Sequence, residues 1–180
     1  MPSELRRRKL EKSFYSIDAD HDDVIYDTDV IALAQMWCDI YDLPPRSPDW
    51  TAIHAAGQKV FREMPGTTGA DGIKRITMQD WLSWADDPAF PIFVERAAIP
   101  FSMAVFGAAD KDNDNRLTAE EMNPGQAQGG MSDDDTKVAF DVLDRDRDGY
   151  VTTQQYIEAQ REFYLSDDPD APGNLIAGPI

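Results

Sequence analysis

Three stretches of the chain, DADHDDVIYDTD at 18–29, DKDNDNRLTAEE at 110–121 and DRDRDGYVTTQQ at 144–155, fall into one twelve-residue frame. Each sets an aspartate at positions 1, 3 and 5, and each is apolar at position 8, where Ile25, Leu117 and Val151 stand. GADGIKRITMQD at 69–80 repeats the frame without the chemistry, with Ile76 at position 8. The residue following each stretch is apolar as well, giving Val30, Trp81, Met122 and Tyr156. A lone Asp-rich run is ordinarily a solvated loop. A register kept four times over instead implies a fold assembled from four copies of one unit.

The flanks of these loops read as helices. Leu10, Phe14 and Ile17 fall on one helical face before the first loop, and Val30, Leu33, Ala34, Trp37 and Tyr41 continue a stripe after it until Pro44 and Pro45. Ser47 and Pro48 read as an N-cap and first helical residue, and Ser132 with Asp135 resembles a capping box. Nothing alternates long enough to be a strand beyond the short step at position 8. The expected architecture is therefore all-α, with four helix-loop-helix units in two pairs packed into one compact body. Residues 1–95 carry loops 18–29 and 69–80; residues 96–180 carry loops 110–121 and 144–155 and an apolar tail at 166–180. Position-8 residues of paired loops are expected to bond across short antiparallel bridges, Ile25 to Ile76 and Leu117 to Val151. Asn123-Pro124-Gly125, followed by Gly129-Gly130, is expected to kink or shorten the helix after the third loop. The joining segment DDPAFPIFVERAAIPFSM, broken by Pro88, Pro91 and Pro100, is read as a buried seam rather than a long solvated helix.

Alternate acids converge on one point when a loop coils, and a backbone carbonyl at position 7 adds a neutral oxygen. Only oxygens are offered, which selects a hard cation such as Ca2+. A glutamate at position 12, in the first turn of the exiting helix, reaches back with both oxygens. On these terms Asp110, Asp112, Asp114, the Arg116 carbonyl and Glu121 form a complete set, with Asn115 tolerating the left-handed turn at position 6. Asp18, Asp20, Asp22, the Val24 carbonyl and Asp29 form a second, in which the shorter Asp29 binds through one oxygen or favours Mg2+. Asp144, Asp146, Asp148, the Tyr150 carbonyl and Gln155 form a third, weakened because Gln155 brings one neutral oxygen. Loop 69–80 keeps only Asp71 and Asp80 at ligand positions and is expected to hold no ion. About three calcium sites are expected in all, with magnesium as competitor.

The formal net charge of −17, from 34 acids against 17 bases, opposes nucleic acid and anionic membranes as partners and favours cations. No stretch is read as approaching the ~20 apolar residues of a membrane span. The N-terminal MPSELRRRKLEKSF lacks the apolar run of a secretory signal, so a cytoplasmic location is expected. Cys38 has no cysteine to pair with and is read as a core thiol. His21 and His54 sit with no nucleophile, base and orienter that the sequence identifies, so no enzyme is expected.

The loops, their order with a degenerate second, and the ending SDDPDAPGNLIAGPI resemble the EF-hand superfamily, and within it the sarcoplasmic calcium-binding proteins and calerythrin. The resemblance implies cytosolic calcium buffering with magnesium competition, and a Gly-Asn apolar tail folded over the body. Two further readings stand beside the buffer. One is a calcium sensor acting on a protein target, against which the scattered methionines weigh. The other is a small-molecule-binding protein with Trp37, Trp50, Trp81 or Trp84 lining a pocket, although aromatics at helical spacing are ordinarily core.

Overall fold

The computed structural model describes residues 2–128 and 131–178. Helix α1 (Glu4–Ile17) leads through the first loop and strand β1 (Val24–Ile25) to α2 (Asp27–Ile40). Helix α3 (Pro48–Glu63), strands β2 (Thr67–Thr68) and β3 (Lys74–Thr77), and α4 (Met78–Trp84) form the second unit. Helices α5 (Ala89–Phe93) and α6 (Ile99–Ala109), strand β4 (Arg116–Leu117) and α7 (Ala119–Gln128) follow. Helix α8 (Asp133–Leu143), strand β5 (Val151–Thr152) and α9 (Thr153–Leu165) complete the fourth unit. Ser47 caps α3 by accepting from the Trp50 N–H at 3.2 Å, and Ser132 caps α8 by accepting from Asp135 at 3.1 Å, as their sequence context predicts. The two bridges are present in the expected register, Ile25 opposite Ile76 and Leu117 opposite Val151.

Three expectations are corrected. Strand β3 pairs with both β1 and β2, so the second unit contains a hairpin that the sequence reading did not include. Asp71-Gly72 makes its turn, with Gly72 at φ +77° and the Gly69 N–H bonded to Ile73 O at 3.0 Å. The joining segment is helical throughout 89–109: a π-helical turn over 94–98 links α5 to α6, just before Pro100. Proline has no N–H to give the preceding turn, and a wider turn accommodates that loss. The same 21 residues are, by length and composition, apolar enough to cross a membrane, which overturns the reading that no stretch approaches such a length. Phe90, Phe93, Val94, Ala97, Val105 and Phe106 of this segment are buried in the core. Pro124 does not stop α7, which runs on to Gln128; Gly129-Gly130 and Ile180 lie outside the described residues.

The core crosses between the two halves. Tyr164 and Leu165 of α9 pack against a cluster built on Leu10, Phe14, Trp81 and Phe90. Cys38 is buried with Ile53 and Val105, its thiol pushed up by burial. Gly125 lets α7 lie on α2: a Cβ there would meet the Trp37 ring at 2.8 Å and the Tyr41 hydroxyl at 2.9 Å. Between these clusters lies a cavity of about 830 Å³.

The tail folds back as expected, through a residue the sequence reading passed over. Lys9 is fully buried, and its ammonium donates to Glu162 O at 2.9 Å, Ser166 O at 2.6 Å and Asn174 Oδ1 at 3.0 Å. Asn174 in turn donates to Asp168 O and Pro169 O, while the Gly173 N–H bonds to Glu162 Oε2 at 2.8 Å. One cation therefore ties α1, the end of α9 and the tail together.

Lys9→Met leaves three acceptors without their donor and is expected to cost about 3 kcal/mol, lowering the melting temperature by roughly 6–12 °C at this chain length. Burial pushes the Lys9 ammonium down from 10.5 to about 8. Between those values the unfolded chain keeps a proton that the folded chain has released. The Lys9 contribution to stability should therefore rise with pH across that window. Denaturant unfolding of wild type and Lys9→Met from pH 7 to 10 checks this: the difference between them should widen above pH 8.

Candidate metal centres

The first aspartate of each acidic loop is buried and is held by its own loop. Asp110 Oδ1 and Oδ2 accept from the N–H groups of Asp114 and Asn115 at 3.1 and 2.9 Å. Asp144 accepts from Asp148 and Gly149 at 3.1 and 2.9 Å, and Asp18 from Asp22 and Asp23 at 3.3 and 3.0 Å. The identical pattern makes the three loops coil alike. It requires left-handed backbone at positions 4 and 6, met by His21 and Asp23, by Asn113 and Asn115, and by Arg147 and Gly149. Gly149 takes that conformation without a Cβ penalty; Asp23 does not.

The coiling gathers three acidic groups, in each of which the carboxylate oxygens lie within 4.8 Å of one another: Asp18, Asp20 and Asp22; Asp110, Asp112 and Glu121; Asp144, Asp146 and Asp148. Carboxylates ~4 Å apart repel by about 4 kcal/mol per pair at an effective dielectric near 20. A divalent cation is the complement such all-oxygen clusters call for. Val24 and Arg116 open β1 and β4, and Tyr150 immediately precedes β5, so the position-7 residues occupy equivalent places.

Two of the expected acidic ligands, Asp114 and Asp29, stand outside these groups, each for a visible reason, while Gln155 touches the third group through Asp146. Asp114 is paired with the Arg116 guanidinium at 2.9 Å. Asp29 accepts from Tyr26 N–H at 2.7 Å and Ala19 N–H at 3.3 Å, which engages both oxygens. Burial raises the Asp29 carboxyl, with those two bonds opposing it. Gln155 accepts at Oε1 from the Thr152 N–H at 2.7 Å and hydroxyl at 2.9 Å, and donates from Nε2 to Asp146 at 3.0 Å.

Position 12 proves to be the N3 residue of the exiting helix in every unit. Its side chain accepts from the N-cap N–H: Asp29 from Tyr26, Asp80 from Thr77, Glu121 from Thr118 and Gln155 from Thr152, at 2.7–2.9 Å. Glu121 has an oxygen for each task. Oε2 caps the helix, while Oε1 takes the Lys111 N–H at 3.1 Å on the loop side. Burial pushes this carboxyl up, but the bonds from Thr118 and Lys111 outweigh it and leave it below its usual value. Gln155 has one oxygen and spends it on the cap. Thr77, Thr118 and Thr152, each three residues before an acid or amide, carry this signal in the sequence, where it went unused.

Loop 69–80 supplies its own cations. Asp71 pairs with Arg75 at 2.6 Å, which holds its carboxyl far below the usual range. Lys74 donates to Met64 O at 2.7 Å and Phe61 O at 2.8 Å and lies over the Phe61 ring. The last carbonyls of α3 and the loop acid are thereby satisfied by the chain's own cations. His21 is exposed at loop position 4, and His54 on α3 stacks against Trp50 with ring centroids 3.9 Å apart.

The EF hand family model matches residues 103–123 and 137–154. No curated protein matches the chain in sequence. Among solved structures, a Streptomyces coelicolor calcium-binding protein concerned with prokaryotic calcium-mediated regulation is 24% identical, with a TM-score of 0.73 over 91% of this chain and 99% of its own. A sarcoplasmic calcium-binding protein from amphioxus is 17% identical, with a TM-score of 0.76 over 100% of both chains. The coelenterazine-binding protein of Renilla muelleri is 19% identical, with a TM-score of 0.68 over 99% of this chain and 100% of its own.

Gln155→Glu supplies the second oxygen and a charge while keeping the cap, and is expected to tighten calcium at 144–155 at least tenfold, about 1.4 kcal/mol; site-resolved NMR titration reads it. Lys74→Met is expected to lower stability by about 1–3 kcal/mol in thermal melts while leaving the number of calcium ions bound unchanged.

Proposed function

We propose that this chain, an EF-hand protein by its matched loops and its four-unit fold, acts as a cytoplasmic calcium buffer with magnesium as competitor. It is a calcium-binding protein. The observation that carries this is the gathering of three acidic, all-oxygen loops on one shared backbone pattern.

The buffer reading is supported by what the methionines do. Met64 and Met122 are buried in the core clusters, and Met78 and Met103 pack against them. A sensor of the groove-opening kind uses such side chains as an adaptable exposed surface. The tail, clamped by Lys9, and the Arg161–Glu95 pair at 2.6 Å further tie the two halves. A body so held is suited to taking up ions without opening. We assign it no catalytic role.

The three sites are expected to differ. Loop 110–121 is strongest, because Glu121 both caps and faces the loop. Loop 18–29 is the site where magnesium competes best, since Asp29 is one methylene short and its oxygens are held by backbone N–H groups; a tight octahedral ion tolerates fewer protein oxygens than calcium. Loop 144–155 is weakest when alone and gains from its neighbour across the Leu117–Val151 pair.

Calorimetric calcium titration with and without millimolar magnesium tests this. About three calcium ions are expected, with magnesium lowering the apparent affinity most at 18–29; site-resolved NMR assigns that loop. Calcium uptake indifferent to magnesium contradicts the buffer reading. Chelation should lower the melting temperature markedly, because metal binds only the folded loops; a melt unchanged by chelator argues against metal binding.

A further inference from the structure

In all three acidic loops the aspartate at position 5 accepts, with one oxygen, from the N–H of position 7: Asp22 from Val24 at 2.9 Å, Asp114 from Arg116 at 2.8 Å and Asp148 from Tyr150 at 3.0 Å. The backbone at this point is the same in each, and only the second oxygen differs. Asp22 and Asp148 join the acidic group of their loop, and among the described residues neither is paired with a cation. Asp114 is drawn away from its group, because Oδ2 takes the Arg116 guanidinium at Nε, 3.1 Å, and at a terminal nitrogen, 2.9 Å. The loop that loses its position-5 carboxylate is thus the one with an arginine at position 7, where the other two carry Val24 and Tyr150.

That guanidinium sits on the seam between the paired loops. Its carbon lies 4.2 Å from the centre of the Tyr150 ring, beside the bridge that sets Leu117 opposite Val151. An aromatic face attracts a planar cation whether or not a carboxylate also holds it. The first pair repeats the placement: Arg75, also at position 7, pairs with Asp71 at 2.6 Å and lies 5.9 Å over the ring of Tyr26 in the partner loop. Loop 69–80 has no gathered acids among the described residues for its arginine to disturb; loop 110–121 has them.

We propose that Arg116 is a built-in rival of the ion at loop 110–121, and that it narrows the preference of this site for calcium over magnesium. The inference rests on the calcium reading of the loops. Calcium takes about 6–8 oxygens, so its full shell here calls on Asp114, and the guanidinium has to let go. Magnesium keeps several waters and is held by one or two carboxylates, which Asp110, Asp112 and Glu121 supply without Asp114. The cost of release therefore falls on calcium and spares magnesium, whereas plain charge repulsion acts on both ions alike. The pair is partly exposed, so that cost is modest, about two- to fivefold in calcium affinity. Tyr150 is the face on which the released guanidinium remains.

Calcium and magnesium titrations of the whole chain, followed by NMR at the amides of Asn115 and Asp23, test this. Asn115 donates to Asp110 and Asp23 to Asp18, so each amide reads its own loop. Arg116→Met keeps an apolar stem and removes the charge, and should raise the calcium-to-magnesium preference at 110–121 by about two- to fivefold while leaving 18–29 unchanged. In an Asp114→Asn chain the same substitution should leave that preference where it was. Arg116→Thr, suited to a strand, serves if the methionine variant misfolds. Equal tightening of both ions reduces Arg116 to a nearby charge and overturns the proposal, as does a gain that persists in Asp114→Asn. A wild-type Asn115 amide that calcium never shifts overturns the calcium reading of this loop and the inference with it. Calcium bound there, with a preference that Arg116→Met does not move, overturns the inference alone.

Discussion

In each of the four units one side chain accepts from the N-cap N–H of the exiting helix, and its position in the loop is the one from which an ion would be gripped. That double duty organises the rest of the molecule. A helix N-terminus leaves its first N–H groups unsatisfied, so the residue at this position is needed whether or not metal is present. It explains why Asp80 persists in a loop with no cluster of acids, and why Gln155 is compatible with an intact helix. Capping requires one oxygen; capping and ligation together require two. Asp29 and Glu121 each use one oxygen for the cap and the other for a loop N–H, and of the two only the longer Glu121 also reaches the gathered acids of its loop.

The second unit follows a related logic. Units of this kind come in pairs because the apolar residue at position 8 needs a partner across the bridge, as Ile25 needs Ile76. A unit that no longer gathers acids is kept as a structural mate, and the cationic role passes to side chains. Lys74 closes the end of α3 and Arg75 neutralises Asp71, so the loop is internally balanced. The hairpin β2–β3 stiffens it further. The first pair thus joins one acidic loop to a rigid partner, while the second joins two acidic loops.

The sequence made the repeat, the bridges and the acidic loops legible, because each depends on local spacing. The acids at positions 1, 3 and 5 are brought together by a turn that those residues themselves build. Less legible were features set by competition between nearby partners. Asp114 is diverted by Arg116, and Asp29 by the N–H groups of Tyr26 and Ala19, and nothing in the loop frame ranks such rivals. The π turn ahead of Pro100 was missed because proline was read as a stop, when a widened turn absorbs it. The hairpin in the second unit carried a visible Asp-Gly signal that the helical frame overrode. Lys9 was beyond reach, since a buried lysine is rare by type, and of the four tryptophans read as possible pocket walls only Trp37 and Trp81 line the cavity, because a void belongs to no single segment.

The clamp around Lys9 also has a bearing on how the molecule is made. Its acceptors lie at 162, 166 and 174, far along the chain from the ammonium they hold. During synthesis the first helix is exposed long before those carbonyls emerge, at about 5–20 residues per second. Until then Lys9 keeps its hydration, and α1 has neither α9 nor the tail to cover the face around it. Helix α1 is thus made early and locked late, and the first pair stays loosely closed until residues 162–174 have emerged.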